Sequence, residues 1–268
     1  MCELLAISAH LPTTIELSLD ELARHGGATG PHRDGWGVGY MQAGDALVLR
    51  EPEAASESQL LACAKHHALR STMVVAHIRR ATQGPRLLRN TQPFARELGG
   101  RIHLFAHNGM LPGIELDPRF PARRFQRIGD TDSEHAFCAL LDRLAPLWEA
   151  SLPGLEARRA AIHAFATELR SVGPANFVYA DGDAIFAHGH RRKNDAGELR
   201  PPGLHVLCRT CSADADGVPL AGVTIAHDEA QQVALVASVP LSGERWEPLA
   251  EGELLVLRDG RVIPRAPA

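Results

Sequence analysis

Several features are missing from this 268-residue chain, and each absence excludes something. No apolar run approaches the ~18 residues of a membrane-spanning helix. The start has no basic stretch followed by an apolar one, so no secretory signal is expected. Positive charge is not in excess: 28 Lys and Arg stand against 32 Asp and Glu, for a net charge of −4. A basic face for nucleic acid or an anionic membrane is therefore not implied. Cysteine is sparse and odd in number, with Cys2, Cys63, Cys138, Cys208 and Cys211. Without a secretion signal, that count favours reduced thiols in the cytoplasm over a disulfide framework. Internal repeats, low-complexity tracts, a sharp linker and a phosphate-cradling G-x-x-x-x-G-K-[ST] loop are all absent. What remains is an ordinary globular composition, 45% hydrophobic and 22% charged. It is read as one domain spanning 1–268, with ample length for a core.

The apolar pattern gives the order of elements. Glu3–Ser8 reads as a strand and Leu17–Arg24 as a helix. A glycine-rich stretch, His25–Tyr40, follows. Gly37–Met41 and Ala46–Glu51 read as a strand pair joined at Ala43–Asp45. Ser56–Leu69 reads as a helix. Thr72–Ile78 and Arg101–His107 read as strands, the first rich in β-branched residues. Thr131 followed by Glu134 fits a capping box, and apolar spacing then predicts a helix to Leu144. Leu155–Arg170 predicts a second helix. Short strands follow at Asn176–Tyr179, Ala184–Ala187, Leu204–Leu207, Gln232–Ala237 and Glu253–Leu257. Arg191–Gly203 is polar and rich in Pro and Gly, as a surface loop is. Strands, then adjacent helices, then strands imply two antiparallel sheets with helices outside them.

Four stretches are odd for a plain core. Cys2 follows the initiator. "AHIRRATQG" (Ala76–Gly84) runs a buried strand into Arg79 and Arg80. "AHNGML" (Ala106–Leu111) ends a strand on Asn-Gly. "GDTDSE" (Gly129–Glu134) crowds acids at a helix start. Each has a structural explanation of its own. Cys2 could be a small apolar residue opening a strand. The arginines could be surface charges, Asn108-Gly109 a hairpin turn, and Asp130 and Asp132 partners of the helix dipole. Together they fit one reaction. Acyl transfer at a glutamine side chain needs a nucleophile, a base, an oxyanion hole, a carboxylate clamp and an ammonium clamp. Cys2 with its α-amine can give the first two, Asn108 and Gly109 the third, Arg79 the fourth and Asp132 the fifth.

The ordered set of Cys2, H-x-R-x-A-T at His77–Thr82, H-N-G at His107–Gly109 and T-D-S-E at Thr131–Glu134 resembles the class II glutamine amidotransferases, which are N-terminal-nucleophile hydrolases. "CELL", "GPHRDGWG", "VVAHIR", "AHNG" and "TDSE" are most similar to their stand-alone, YafJ-type branch, over Cys2 to about Leu257. The resemblance implies an α+β fold, a four-layer αββα sandwich of two antiparallel sheets. It implies cleavage of the γ-amide of glutamine, or of a γ-glutamyl compound, through a Cys2 thioester. A non-catalytic glutamine-binding or regulatory protein on the same fold is the alternative. Thr82, Gln83 and Trp36 are expected to touch the glutamyl group or wall the site, with Asp34 and Gly37 beside them. No cofactor and no metal is called for. Partners compatible with the resemblance are a separate ammonia-accepting synthase and a second copy in a homodimer. Cys208-x-x-Cys211, with His205 nearby, lacks a second pair to complete a zinc site, and these are expected to be strand and turn cysteines. Cys63 and Cys138 are expected in the core.

Overall fold

The computed structural model describes residues 2–14, 24–67, 69–149, 151–193, 197–211 and 231–264. The helix expected over Leu17–Arg24 lies outside them, apart from Arg24, which opens a short π turn to Ala28. Two antiparallel sheets dominate. The first uses β1 (Glu3–Thr13), β2 (Trp36–Gln42), β3 (Asp45–Glu51) and β4 (Ser71–Ile78) from the first third of the chain. The second uses β5 (Phe94–Leu98), β6 (Arg101–Gly109), β7 (Ala175–Ala180) and β8 (Ile185–His188). A two-residue ribbon, β9 (Arg192–Lys193) and β10 (Leu199–Arg200), interrupts the expected loop. Then come β11 (His205–Cys211), β12 (Gln231–Ala237), β13 (Glu247–Pro248), β14 (Leu254–Arg258) and β15 (Arg261–Val262). The sheet orders are β13-β11-β12-β1-β4-β2-β3 and β15-β14-β8-β7-β6-β5.

Three apolar layers follow from the strand period of two. Leu4, Ala6, Val75, Leu104, Ala106, Val178 and Val236 fill the space between the sheets. Alternate residues of the same strands, Leu5, Ile7, Val74 and Ala76, face the other way and meet Leu61 of helix α1 (Gln59–His66). On the far side, Phe105, Phe177, Tyr179 and Phe186 pack under α2 (Asp132–Leu144) and α3 (Leu155–Leu169). The central strands are buried on both faces, which is why they read as unbroken apolar runs. The α3 face Ile162, Phe165, Ala166 and Leu169 has helical spacing and is fully buried. Phe105 stacks on Phe137 of α2 with ring centroids 5.3 Å apart. Burying each such side chain stabilises by roughly 1.5–3 kcal/mol. The expected αββα sandwich is the architecture found.

Local departures have local causes. The helix expected over Ser56–Leu69 is only α1, because Ser58 caps it by accepting from the Leu61 amide at 2.9 Å. The β2–β3 hairpin turns on Ala43 and Gly44 with φ of 51° and 88°, the two positive angles of a tight primed turn. β6 does not turn at Asn108-Gly109. It runs on, pairing Asn108 with Asn176 and Gly109 with Ala175. Cys138 is buried, but Cys63 is exposed on α1, away from the expected core. Cys208 and Cys211 both lie within β11, and Cys208 is exposed and unbridged. Among the described residues, no helix is long and apolar enough to cross a membrane.

Candidate active site

Strand register brings the first two motifs together. Glu3 pairs with Ile78 across β1 and β4, so Cys2 and Arg79 leave the sheet side by side. The Cys2 thiol sits on the Arg80 backbone, with the Arg80 amide donating to Sγ at 3.3 Å and Sγ 3.4 Å from the Arg80 carbonyl. The glycine-rich stretch clamps this exit. The Arg79 amide donates to the Gly35 carbonyl at 2.8 Å, and the Ala81 amide donates to the Asp34 carboxylate at 2.8 Å. Asp34 therefore fixes the backbone around the thiol.

A narrow cleft is lined by Cys2, Arg79, Thr82, Gln83, Gly109 and Asp132, together with Arg80, Gln92, His107 and Ser133. Cys2 comes from the first sheet, Gly109 from the second and Asp132 from the start of α2. Free space amounts to about 20 Å³, room for a water and not for an amino acid. The Arg79 guanidinium is fixed by backbone carbonyls. One terminal nitrogen donates to Gln83 (2.8 Å) and Gly84 (3.0 Å), the other to Pro85 (3.1 Å) and Asp34 (3.4 Å). That leaves the Nε edge as the donor not committed to these carbonyls.

Asp132 is buried, with 5% of its surface exposed. Its carboxylate accepts from the Leu111 amide at 2.6 Å and the Ser133 amide at 2.7 Å. Thr131 does the capping, its hydroxyl accepting from the Glu134 amide at 3.3 Å. Glu134 does not complete the expected box. Its carboxylate turns to Arg96 and to the Gly129 amide at 2.7 Å. Asp132 is thus not the cap, and its buried carboxylate lines the cleft with the thiol.

Asn108 is fully buried. Its amide nitrogen donates to the Cys2 carbonyl at 2.5 Å and to Ser238 Oγ at 3.1 Å, while its Oδ1 has no partner. The Asn108 side chain thus binds the residue that carries the thiol. Gly109 is required by packing, since a Cβ there would overlap the Pro174 carbonyl oxygen. Gly37 acts at one remove. A Cβ at 37 would overlap the Gln92 carbonyl, and the Gln92 side chain, which accepts from the His107 amide at 2.6 Å, walls the cleft.

Trp36 does not reach the cleft. The β2 alternation turns it to the outer face of the first sheet, where it is 1% exposed and donates from Nε1 to Glu51 at 3.1 Å. The expectation that it contacts substrate is corrected on that ground. Gln92 and Ser238 were not singled out by sequence, because each is an isolated polar residue outside any motif, and Ser133, though inside T-D-S-E, was given no role of its own there. His107, inside the H-N-G motif, proves to be a buried strut. Its Nε2 lies 3.1 Å from the Pro174 carbonyl, which can only accept, and its Nδ1 lies 2.9 Å from the Ser133 hydroxyl. Burial lowers its pKa, which fits the neutral ring.

Electrostatics sets the state of the Cys2 thiol. Burial pushes the Cys2 thiol pKa up, against the Arg80 amide and the Arg79 charge, which pull it down. His77, on the strand leading to Arg79, is fully buried with both ring nitrogens unpartnered, and burial pushes its pKa down to about 3. A neutral His77 cannot serve as a cationic partner that ionises the thiol. No group of three or more His, Cys, Asp or Glu among the described residues is placed to hold a metal.

Similarity to known proteins decides the family. The family model described as "Glutamine amidotransferases class-II" matches residues 1–267. The chain belongs to the class II glutamine amidotransferases. YafJ of Escherichia coli strain K12 is 34% identical to this amidotransferase-family chain over 254 residues, covering 94% of the chain and 96% of YafJ. A Haemophilus influenzae homologue is 31% identical over 264 residues, covering 98% and 86%. Among solved structures, a predicted glutamine amidotransferase from Pseudomonas aeruginosa PA01 superposes with a TM-score of 0.71 at 27% identity, over 98% of this chain and all (100%) of that one. Glutamine phosphoribosylpyrophosphate amidotransferase from B. subtilis gives a TM-score of 0.61 at 16% identity, over 98% of this chain and 48% of its own. That likeness shows a shared fold.

Proposed function

We propose that this class II amidotransferase cleaves the γ-amide of glutamine, or of a γ-glutamyl compound, through a thioester on Cys2. Support comes chiefly from one cleft that gathers a thiol, a fixed guanidinium and a buried carboxylate from separate elements. A glutamyl head carries one carboxylate and one ammonium, and a buried site must pair both or incur desolvation costs. Arg79 receives the α-carboxylate on its Nε edge, or on the terminal nitrogens once substrate displaces the Gln83 and Gly84 carbonyls. Asp132 receives the ammonium. Thr82 and Gln83 are exposed, and their segment moves aside to admit the substrate.

The thiol, held protonated by burial, needs a base. An α-amine on Cys2, with a free pKa of ~7.7–8.0, takes that proton as sulfur attacks the γ-carbonyl. The Gly109 amide and the Asn108 side chain hold the oxyanion, Asn108 releasing one of its two present acceptors. One such donor is worth ~2.7–4 kcal/mol. The C–N bond then breaks, the nitrogen leaves with the proton from the α-amine, and water hydrolyses the thioester to glutamate. Any residue preceding Cys2 would acylate the base and must be removed.

The test is glutamate release from glutamine, combined with intact mass. Active protein should begin at Cys2, and Cys2→Ser should bind but scarcely turn over. Full turnover by a homogeneous sample retaining Met1 would refute the mechanism.

A further inference from the structure

The glutamyl cleft is small, but Arg80, whose backbone contacts the thiol, also lines a much larger space. A cavity of about 820 Å³ shares the Arg80 wall with the cleft and continues past Glu3 and Ser238. Two of its lining residues, Arg80 and Ser238, contact residues of the proposed reaction centre. Arg80 carries the backbone groups that contact Cys2 Sγ. Ser238, buried, accepts from the Asn108 amide.

The lining is predominantly cationic. Arg80, Arg192, Lys193 and Arg200 are cationic, and Glu3 is the one carboxylate. Glu3 is already committed, lying 2.8 Å from His25 Nδ1 and 3.6 Å from an Arg192 terminal nitrogen. Burial raises the Glu3 pKa, but the His25 hydrogen bond and the nearby charges of His25, His32 and Arg192 outweigh it and leave it low. Arg192 is also anchored, donating to the Ser238 carbonyl at 3.0 Å. Arg200 is exposed and shares its charge with Glu198 at 3.2 Å. The chain carries a net charge of −4, so a cluster of cations around one concavity is a local exception to its overall balance. Low-dielectric walls focus such a field on whatever enters.

Resting on the amidohydrolase reading above, we infer that this cavity receives the amine half of the substrate, and that this half is anionic. The substrate is then a γ-glutamyl amide of an amine bearing a carboxylate, phosphate or sulfonate. The bond cleaved joins the γ-carboxyl carbonyl carbon to that amine nitrogen, with water as co-reactant and glutamate and the free anionic amine as products. A glutamyl group held by Arg79 and Asp132 presents its γ-amide at the thiol, and its leaving group must extend from there. The 20 Å³ of the cleft cannot take it, and the 820 Å³ of the cavity can. Free ammonia would need no such space and gains nothing from the arginines.

The experiment compares kcat/KM for γ-glutamyl-glutamate and γ-glutamyl-taurine (anionic), γ-glutamyl-ethylamide (neutral), γ-glutamyl-putrescine (cationic) and glutamine. Full-length protein beginning at Cys2 is used. The anionic pair should exceed the neutral amide by about tenfold or more, with an advantage that shrinks as salt is raised, and the cationic compound should be poorest. A Lys193→Gln/Arg200→Gln double variant, remote from the glutamyl cleft, should lose about three- to tenfold on the anionic pair while glutamine hydrolysis is unchanged. A preference shared by both anions supports recognition of charge, while preference for one shows in addition which anion fits. Equal rates on anionic and neutral amides, or preference for the cationic one, would overturn the inference and leave the amidohydrolase reading standing. Absence of glutamate release from every compound would overturn both.

Discussion

Replacing Asp132 by Asn separates a substrate clamp from a helix-start residue. The shape is kept and the charge removed. In the present structure the carboxylate accepts from two backbone amides, Leu111 at 2.6 Å and Ser133 at 2.7 Å. An asparagine oxygen can keep one of these, but its NH₂ then faces the other N–H. That mismatch costs about 1–3 kcal/mol of stability and is expected on either reading. The functional cost is separate. Truncating one partner of a buried charge pair commonly costs ~2–5 kcal/mol, so kcat/KM for glutamine should fall about thirtyfold or more. The two effects are separated by a second substrate. N-acetyl-glutamine lacks the ammonium, so native protein should discriminate strongly against it and Asp132→Asn should discriminate less. A ratio of two substrates on one protein is insensitive to the fraction folded. If native protein hydrolyses N-acetyl-glutamine as well as glutamine, Asp132 only supports the Leu111 loop and the clamp is refuted.

Three further outcomes are expected. The glutamine-like electrophile 6-diazo-5-oxo-norleucine should alkylate Cys2 and spare Cys63 and Cys208, although both of those are exposed; peptide mapping that finds the label chiefly on either would contradict the nucleophile assignment. Arg158, 2% exposed and held by Asp181 and Asp183 at 2.6 Å each, should cost about 3–5 kcal/mol when changed to Ala, because two carboxylates lose their buried partner; a urea-unfolding loss under about 1 kcal/mol would refute this. His77 and His188 are both pushed by burial from 6.5 to about 3, so the unfolded chain binds protons more readily; stability should be full above about pH 6.5 and fall by up to ~1.4 kcal/mol per histidine for each unit below it, and a flat urea midpoint between about pH 7 and 5 would contradict it.

What the sequence made legible was periodicity and motif order. β1, β4, β6 and β12 read correctly because strands buried on both faces leave continuous apolar runs. The start of α2 read correctly because Thr131 caps it through its own side chain. β5 was missed, since "FAREL" alternates too briefly to stand out, and its arginine turns to Glu134 of α2. Asn108-Gly109 could be a turn by local propensity. Pairing with β7 overrides that preference, and no local pattern carries the partners Asn176 and Ala175, far along the chain. Trp36 failed for a related reason. Its neighbours in sequence approach the cleft, but strand alternation points its ring the other way. The struts around the site, Gln92, Ser133 and Ser238, are long-range contacts of single polar residues and leave no periodic trace.

The site's dependence on both sheets follows from that geometry. Cys2 and Arg79 are fixed by the β1–β4 register, Gly109 by the β6–β7 register, and Asp132 by α2, which packs on the second sheet. The sheets meet through apolar side chains such as Leu4, Val75, Leu104 and Val178. Across them runs a polar tie, from the Cys2 carbonyl to Asn108 and from Asn108 to Ser238. Apolar packing fixes a separation but is tolerant of small sliding. Directed hydrogen bonds are not, since they weaken steeply once misaligned. Asn108 therefore sets the alignment of the Cys2 backbone against the end of β6, on which the proposed reaction depends. Its buried amide, with Oδ1 unpartnered, thus sits at the junction of the two sheets.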